Sequence, residues 1–114
     1  MSLTVARRNS NDVAIVDLSG ELTVGKDTAS LGNEVSDLVA NGNKKILINM
    51  AGTTTIDSTG VGELMRTYTA VSNAGGVVKI VNPTPAVQDV LQITKVSQKF
   101  DLKDDEKTAV ASFA

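Results

Sequence analysis

Cysteine, histidine and tryptophan are all absent from the 114 residues. Without cysteine there is no disulfide frame, no thiolate nucleophile and no thiolate metal site. Without histidine the usual general base and the usual zinc ligand are missing, and a Ser-His-Asp hydrolase cannot be built from this chain alone. Aromatics amount to one tyrosine and two phenylalanines, so the core is expected to be aliphatic. No apolar run approaches the roughly 20 residues of a membrane-spanning helix. The opening stretch MSLTVARRNSND lacks the apolar segment of a signal peptide. Formal net charge is -2, with both signs scattered along the chain and no basic patch interleaved with aromatics. Nucleic acid is therefore not expected as a main partner. The expectation is a soluble cytoplasmic protein, folded as a single domain over residues 1–114, with no metal and no resident cofactor.

The hydrophobic pattern alternates between strand and helix periods. Leu3 and Val5 alternate with polar neighbours, and NSND (Asn9 to Asp12) supplies hairpin residues before the apolar run Val13 to Val16 and Leu18. These two strands are expected to pair antiparallel. Gly20 to Asp27 reads as a loop. A helix is expected from Thr28, with Leu31, Val35, Leu38 and Val39 on its inner face and Asp27 or Thr28 as its cap. NGN (Asn41 to Asn43) ends it. Ile46 to Ile48 form a buried strand, and AGTTT leads out of it. Val61, Leu64, Met65 and Tyr68 share one face of a second helix that stops at Gly75-Gly76. Val77, Val78, Ile80 and Val81 form the next strand, and Pro85 fits the first turn of a third helix lined by Val87, Val90 and Leu91. Phe100 and Leu102 suggest a last short strand. Asp104 or Asp105 then opens a terminal helix carrying Ala109, Val110 and Phe113. The result is an α/β domain with a mixed sheet of about four to five strands, the first antiparallel, and about four helices.

One stretch concentrates unusual chemistry: TIDSTGVGEL, Thr55 to Leu64, where a parallel strand hands over to a helix. That edge of an open α/β sheet is where ligands bind. Asp57 or Ser58 is expected to cap the helix, whose first turn offers unpaired N–H groups and the positive end of its dipole. Gly60 and Gly62 would let a partner backbone or a phosphate come close, although two glycines in one helical turn cost roughly 1 kcal/mol each against alanine. Tight packing of helix on sheet is the alternative explanation for them. The stretch is not a Walker loop, because the lysine and the four-residue glycine spacing are missing.

At these residues the chain resembles the STAS domains, and among them the bacterial anti-sigma factor antagonists. IDSTGVG, Ile56 to Gly62, is similar to the family's Asp-Ser-Ser/Thr-Gly-aliphatic-Gly element without a gap. VDLSGELT (Val16 to Thr23), ILIN (Ile46 to Asn49) and NPTPAVQDVLQITKVSQKFDL (Asn82 to Leu102) resemble the flanking segments in the same order. The resemblance implies phosphorylation of the first hydroxyl residue after the aspartate, here Ser58, by a serine kinase that is also the anti-sigma factor. The unmodified protein would bind that kinase and free the sigma factor. The phosphorylated protein would let go, and a PP2C-type phosphatase would reset it. The implied partner-contact set is Glu21, Thr23, Asp57, Ser58, Thr59, Gly60 and Gly62, on the loop Glu21 to Lys26 and the first helical turn. Thr59 reads as a first-turn residue pointing sideways, and Met65 and Tyr68 read as core. Many family members carry an acid where this chain has Thr23.

The chain is accordingly expected to be a binding module and not an enzyme: Asp57 and Ser58 have no base beside them and no metal-ligand cluster is visible. Two other readings use the same edge. One is a nucleotide- or phosphate-binding STAS domain. The other is a STAS subunit of a stress-signalling or lipid-transport complex.

Overall fold

The structure, a computed structural model, describes residues 3–25, 27–103 and 105–113. Its order is β1 (Leu3–Ser10), β2 (Val13–Leu22), α1 (Ser30–Ala40), β3 (Lys45–Ile56), α2 (Ser58–Asn73), β4 (Val77–Val81), α3 (Pro85–Ile93), a 3-10 turn (Val96–Gln98), β5 (Asp101–Lys103) and α4 (Glu106–Ala111). The strands form one sheet in sequence order, with β1 antiparallel to β2 and the remaining pairs parallel. The first hairpin turns at Asn11, whose backbone takes a positive φ that asparagine tolerates better than most residues.

Each of the three parallel steps moves one strand further in the same direction. Right-handed crossovers therefore leave α1, α2 and α3 on the same face. The main core lies there, between Val16, Leu18, Ile46, Ile48, Met50 and Ile80 of the sheet and Leu31, Val35, Leu64, Val71, Val87 and Leu91 of the helices. The opposite face is covered by α4, where Val13, Ile15, Leu47 and Val81 meet Ala109, Val110 and Phe113. Successive side chains of a strand point to opposite faces. Apolar residues on both faces of β2 and β3 are thus what two helical layers require. Met65 and Tyr68 pack against the main core, as expected, and the Tyr68 ring meets Phe100 edge-on at 5.5 Å.

The outer strand β1 is fastened to both layers by adjacent arginines. Arg7 pairs with Glu34 and Asp37 of α1, while Arg8 pairs with Asp17 of β2 and Glu106 of α4. Individually such exposed pairs contribute little. Their placement gives an edge strand charged side chains on both faces, which discourages pairing with another chain.

Three expected boundaries move. Residues Gly20 to Leu22 are not loop: β2 runs on to Leu22, because Gly20, Glu21 and Leu22 pair with Thr53, Thr55 and Ile56 across irregularities in register. For the same reason β3 continues through the AGTTT segment to Ile56. Helix α1 starts at Ser30, not Thr28, and neither Asp27 nor Thr28 caps it; Ala29 holds that position without a side-chain bond. Thr28 is engaged elsewhere, its hydroxyl donating to the carbonyls of Thr23 and Gly25. Asp105 caps α4 by accepting from the Thr108 amide at 2.8 Å, and Asp104 lies outside the described residues.

Candidate functional site

The extended strands bring the ends of β2 and β3 side by side at the sheet's carboxyl edge, with Glu21 opposite Thr55 and Leu22 opposite Ile56. One residue further along, Asp57 leaves the strand in an extended conformation and becomes the N-cap of α2. Of the two cap positions left open by the sequence, the structure selects Asp57. Its Oδ1 accepts the Gly60 amide at 2.9 Å, and its Oδ2 accepts the Val24 amide at 2.9 Å. One carboxylate therefore satisfies an orphan donor of the helix and ties down the turn after β2. The Val24 and Gly60 amides, in that order of effect, hold the Asp57 carboxyl below the ordinary aspartate range.

Ser58 is the first residue of α2 and is exposed, as is Thr59. Ser58 thus directly follows the capping aspartate at the carboxyl edge of the sheet. Among the described residues no group of three or more acidic side chains could hold a metal ion.

The glycines of this turn have different surroundings. Gly60 is buried beneath the end of β2, and a Cβ there would run into the Leu22 carbonyl oxygen and come within 2.8 Å of the Ile56 side chain. Packing of helix on sheet accounts for it. Gly62 is exposed, and a Cβ there would meet nothing within 4 Å. No contact within this chain requires it.

Glu21, Thr23, Asp57, Ser58, Thr59 and Gly62 therefore share one edge, with Gly60 beneath it. Glu21 and Thr23 are partly buried, and Lys26 of the expected contact loop lies outside the described residues. Sequence reasoning did not single out Val24, 74% exposed within that loop. It also missed Glu63, which is 4% exposed one turn along α2. Glu63 Oε2 accepts the Gly32 amide of α1 at 2.9 Å, and Arg66 lies 3.6 Å from Oε1. A glycine within the first turn of α1 was the available signal: a Cβ at residue 32 would come within 2.6 Å of that carboxylate.

A sheet of this order, with its serine and aspartate where β3 hands over to α2, defines a class that comparison makes explicit. The family model described as the STAS domain matches residues 4–109, and the chain belongs to that family. In fold it is similar to an anti-sigma factor antagonist from Mycobacterium paratuberculosis, with a TM-score of 0.83 and 23% identity over 98% of this chain and 94% of that one. It is also similar to the anti-sigma factor antagonist SpoIIAA in its unphosphorylated form, with a TM-score of 0.79 and 20% identity over 94% of this chain and 93% of that one. The Bacillus cell fate determinant SpoIIAA in its phosphorylated form gives a TM-score of 0.73 and 18% identity over 99% of this chain and 100% of that one.

Proposed function

We propose that this STAS domain is an anti-sigma factor antagonist switched by phosphorylation at Ser58. The observation that carries the reading is exposed Ser58, the first residue of α2, directly after the capping residue Asp57. In its neutral form it binds an anti-sigma factor that is also a serine kinase, and the sigma factor is released. The kinase transfers the γ-phosphoryl group of ATP to Ser58 Oγ, with loss of the hydroxyl proton and release of ADP. A PP2C-type phosphatase hydrolyses the phosphoserine and restores binding. The contact surface is the turn after β2 together with the first turn of α2, including Glu21, Thr23, Asp57, Thr59 and Gly62. The exchange runs in the cytoplasm, where ATP and sigma factors meet, and the domain contributes no catalysis of its own.

The electrostatics support an interface switch in preference to an unfolding switch. Phosphate adds about -1.5 to -2 charges at an exposed position. Ser58 faces solvent, so the fold need not bury that charge. A partner covering it must desolvate a dianion next to Asp57, and weaker binding follows. The same geometry speaks against a phosphate- or nucleotide-binding role, because the Asp57 carboxylate already occupies the Gly60 amide and would repel an incoming anion.

The test is to incubate the protein with ATP and each serine kinase of the anti-sigma class from its source organism. Intact-mass and fragment spectra should show a single phosphate, located on Ser58. Absence of phosphate with every kinase, or phosphate confined to Thr59, contradicts the reading.

A further inference from the structure

Val24 is 74% exposed in the turn between β2 and α1. Isolated exposed valines are ordinary on protein surfaces, so exposure alone says nothing. Its surroundings say more. The Val24 amide donates to Asp57 Oδ2, and the other oxygen of that carboxylate caps α2 through Gly60. On either side of Val24, the carbonyls of Thr23 and Gly25 both accept from the Thr28 hydroxyl. The backbone of the turn is therefore held at three successive residues while the valine side chain projects outward. Gly25, the next residue, is exposed as well, with nothing within 4 Å of where its Cβ would stand.

The other large exposed hydrophobics among the described residues are Val77 and Ile93. Val77 opens β4 and Ile93 ends α3, so both belong to the opposite edge of the sheet. Val24 is the one that shares an edge with Ser58, linked to it through Asp57, the residue just before the serine.

We propose that Val24 is the apolar anchor of the partner interface and that Asp57 is the positioning residue that holds it beside Ser58. This rests on the function proposed above and deepens it. The partner it fits is a protein surface with a small apolar depression next to its phosphoryl-transfer site. A turn already fixed by hydrogen bonds loses little freedom on docking, which favours affinity. Asp57 then has a role distinct from capping: it keeps the anchor and the phosphate acceptor in a single footprint, so that charge on Ser58 and contact at Val24 oppose each other directly.

The experiment uses the full chain and the kinase found to phosphorylate it. Val24→Ser should keep the wild-type melting temperature and bind the unmodified-state partner about tenfold more weakly, equivalent to about 1.4 kcal/mol. Asp57→Asn should speed hydrogen exchange of the Val24 amide, since one oxygen cannot serve both amides. Combined with Val24→Ser, it should cost less than the two separate losses together. If Val24→Ser binds as tightly as wild type while wild type is still phosphorylated, the anchor is overturned and the functional reading stands. If exchange at Val24 is unchanged in Asp57→Asn, the positioning role is overturned. If no kinase binds or modifies the wild type, the functional reading fails and the anchor fails with it.

Discussion

Gly60 in α2 lies directly under the carbonyl oxygen of Leu22 at the end of β2, leaving no room for a side chain. That contact sets how closely the acceptor helix approaches the sheet, and hence how near Ser58 sits to the turn after β2. The neighbouring Gly62 has open space where its Cβ would be. Gly60→Ala must push backbone against backbone and should cost about 1–3 kcal/mol or more. Gly62→Ala should instead gain up to about 1 kcal/mol, the difference in helix propensity. Urea denaturation of the two variants checks this: opposite signs are expected. If Gly62→Ala also weakens kinase binding while stabilising the fold, its glycine serves the partner and not the chain.

A buried carboxylate joins the helices on either side of the site. Glu63 accepts the Gly32 amide, and it is 4% exposed. Glu63→Ala removes the acceptor from a part-buried amide in the first turn of α1, and should cost about 0.5–1.5 kcal/mol. Glu63→Gln keeps an acceptor oxygen and should lose less. Thermal melts of both variants measure the difference, and equal losses would mean that the hydrogen bond is not what Glu63 contributes.

How far the sequence discloses this molecule depends on how local each interaction is. The hairpin at Asn11, the helix stops at Gly42 and Gly75, and Pro85 in the first turn of α3 are all consequences of near neighbours, and all stand as read. The Asp57 bond to Gly60 spans three residues and was legible as a cap. Its bond to Val24 spans 33 residues and was not. The same holds for Glu63 and Gly32, separated by 31 residues. The far halves of β2 and β3 were hidden because glycine and polar residues there do not alternate like a strand, and only their pairing with each other makes them one. Thr28 looked like a helix cap, but its hydroxyl is spent on the carbonyls of the preceding turn.

Acid should loosen the β1 edge in a way that can be assigned. Arg8, and then Asn49, hold the Asp17 carboxyl below its ordinary range. A carboxyl depressed in the folded state adds stability that is complete above its unfolded pKa of about 3.9 and is lost as pH falls through the folded value. Urea midpoints should therefore change little between about pH 7 and pH 5 on this group's account, then drop below about pH 4. Asp17→Asn should show a smaller drop than wild type. It should not abolish the drop, because Asp12, Asp57 and Asp105 are depressed as well.

The central claim is that charge at Ser58 governs docking without disturbing the fold. Calorimetric titration of the kinase with Ser58→Ala and Ser58→Asp, alongside melting curves of both, tests it most directly. Ser58→Ala should bind like the unmodified protein and never be released by ATP. Ser58→Asp should melt within a few degrees of wild type and bind at least tenfold more weakly, a loss of about 1.4 kcal/mol or more. An aspartate variant that folds normally and binds as tightly as wild type would contradict the claim.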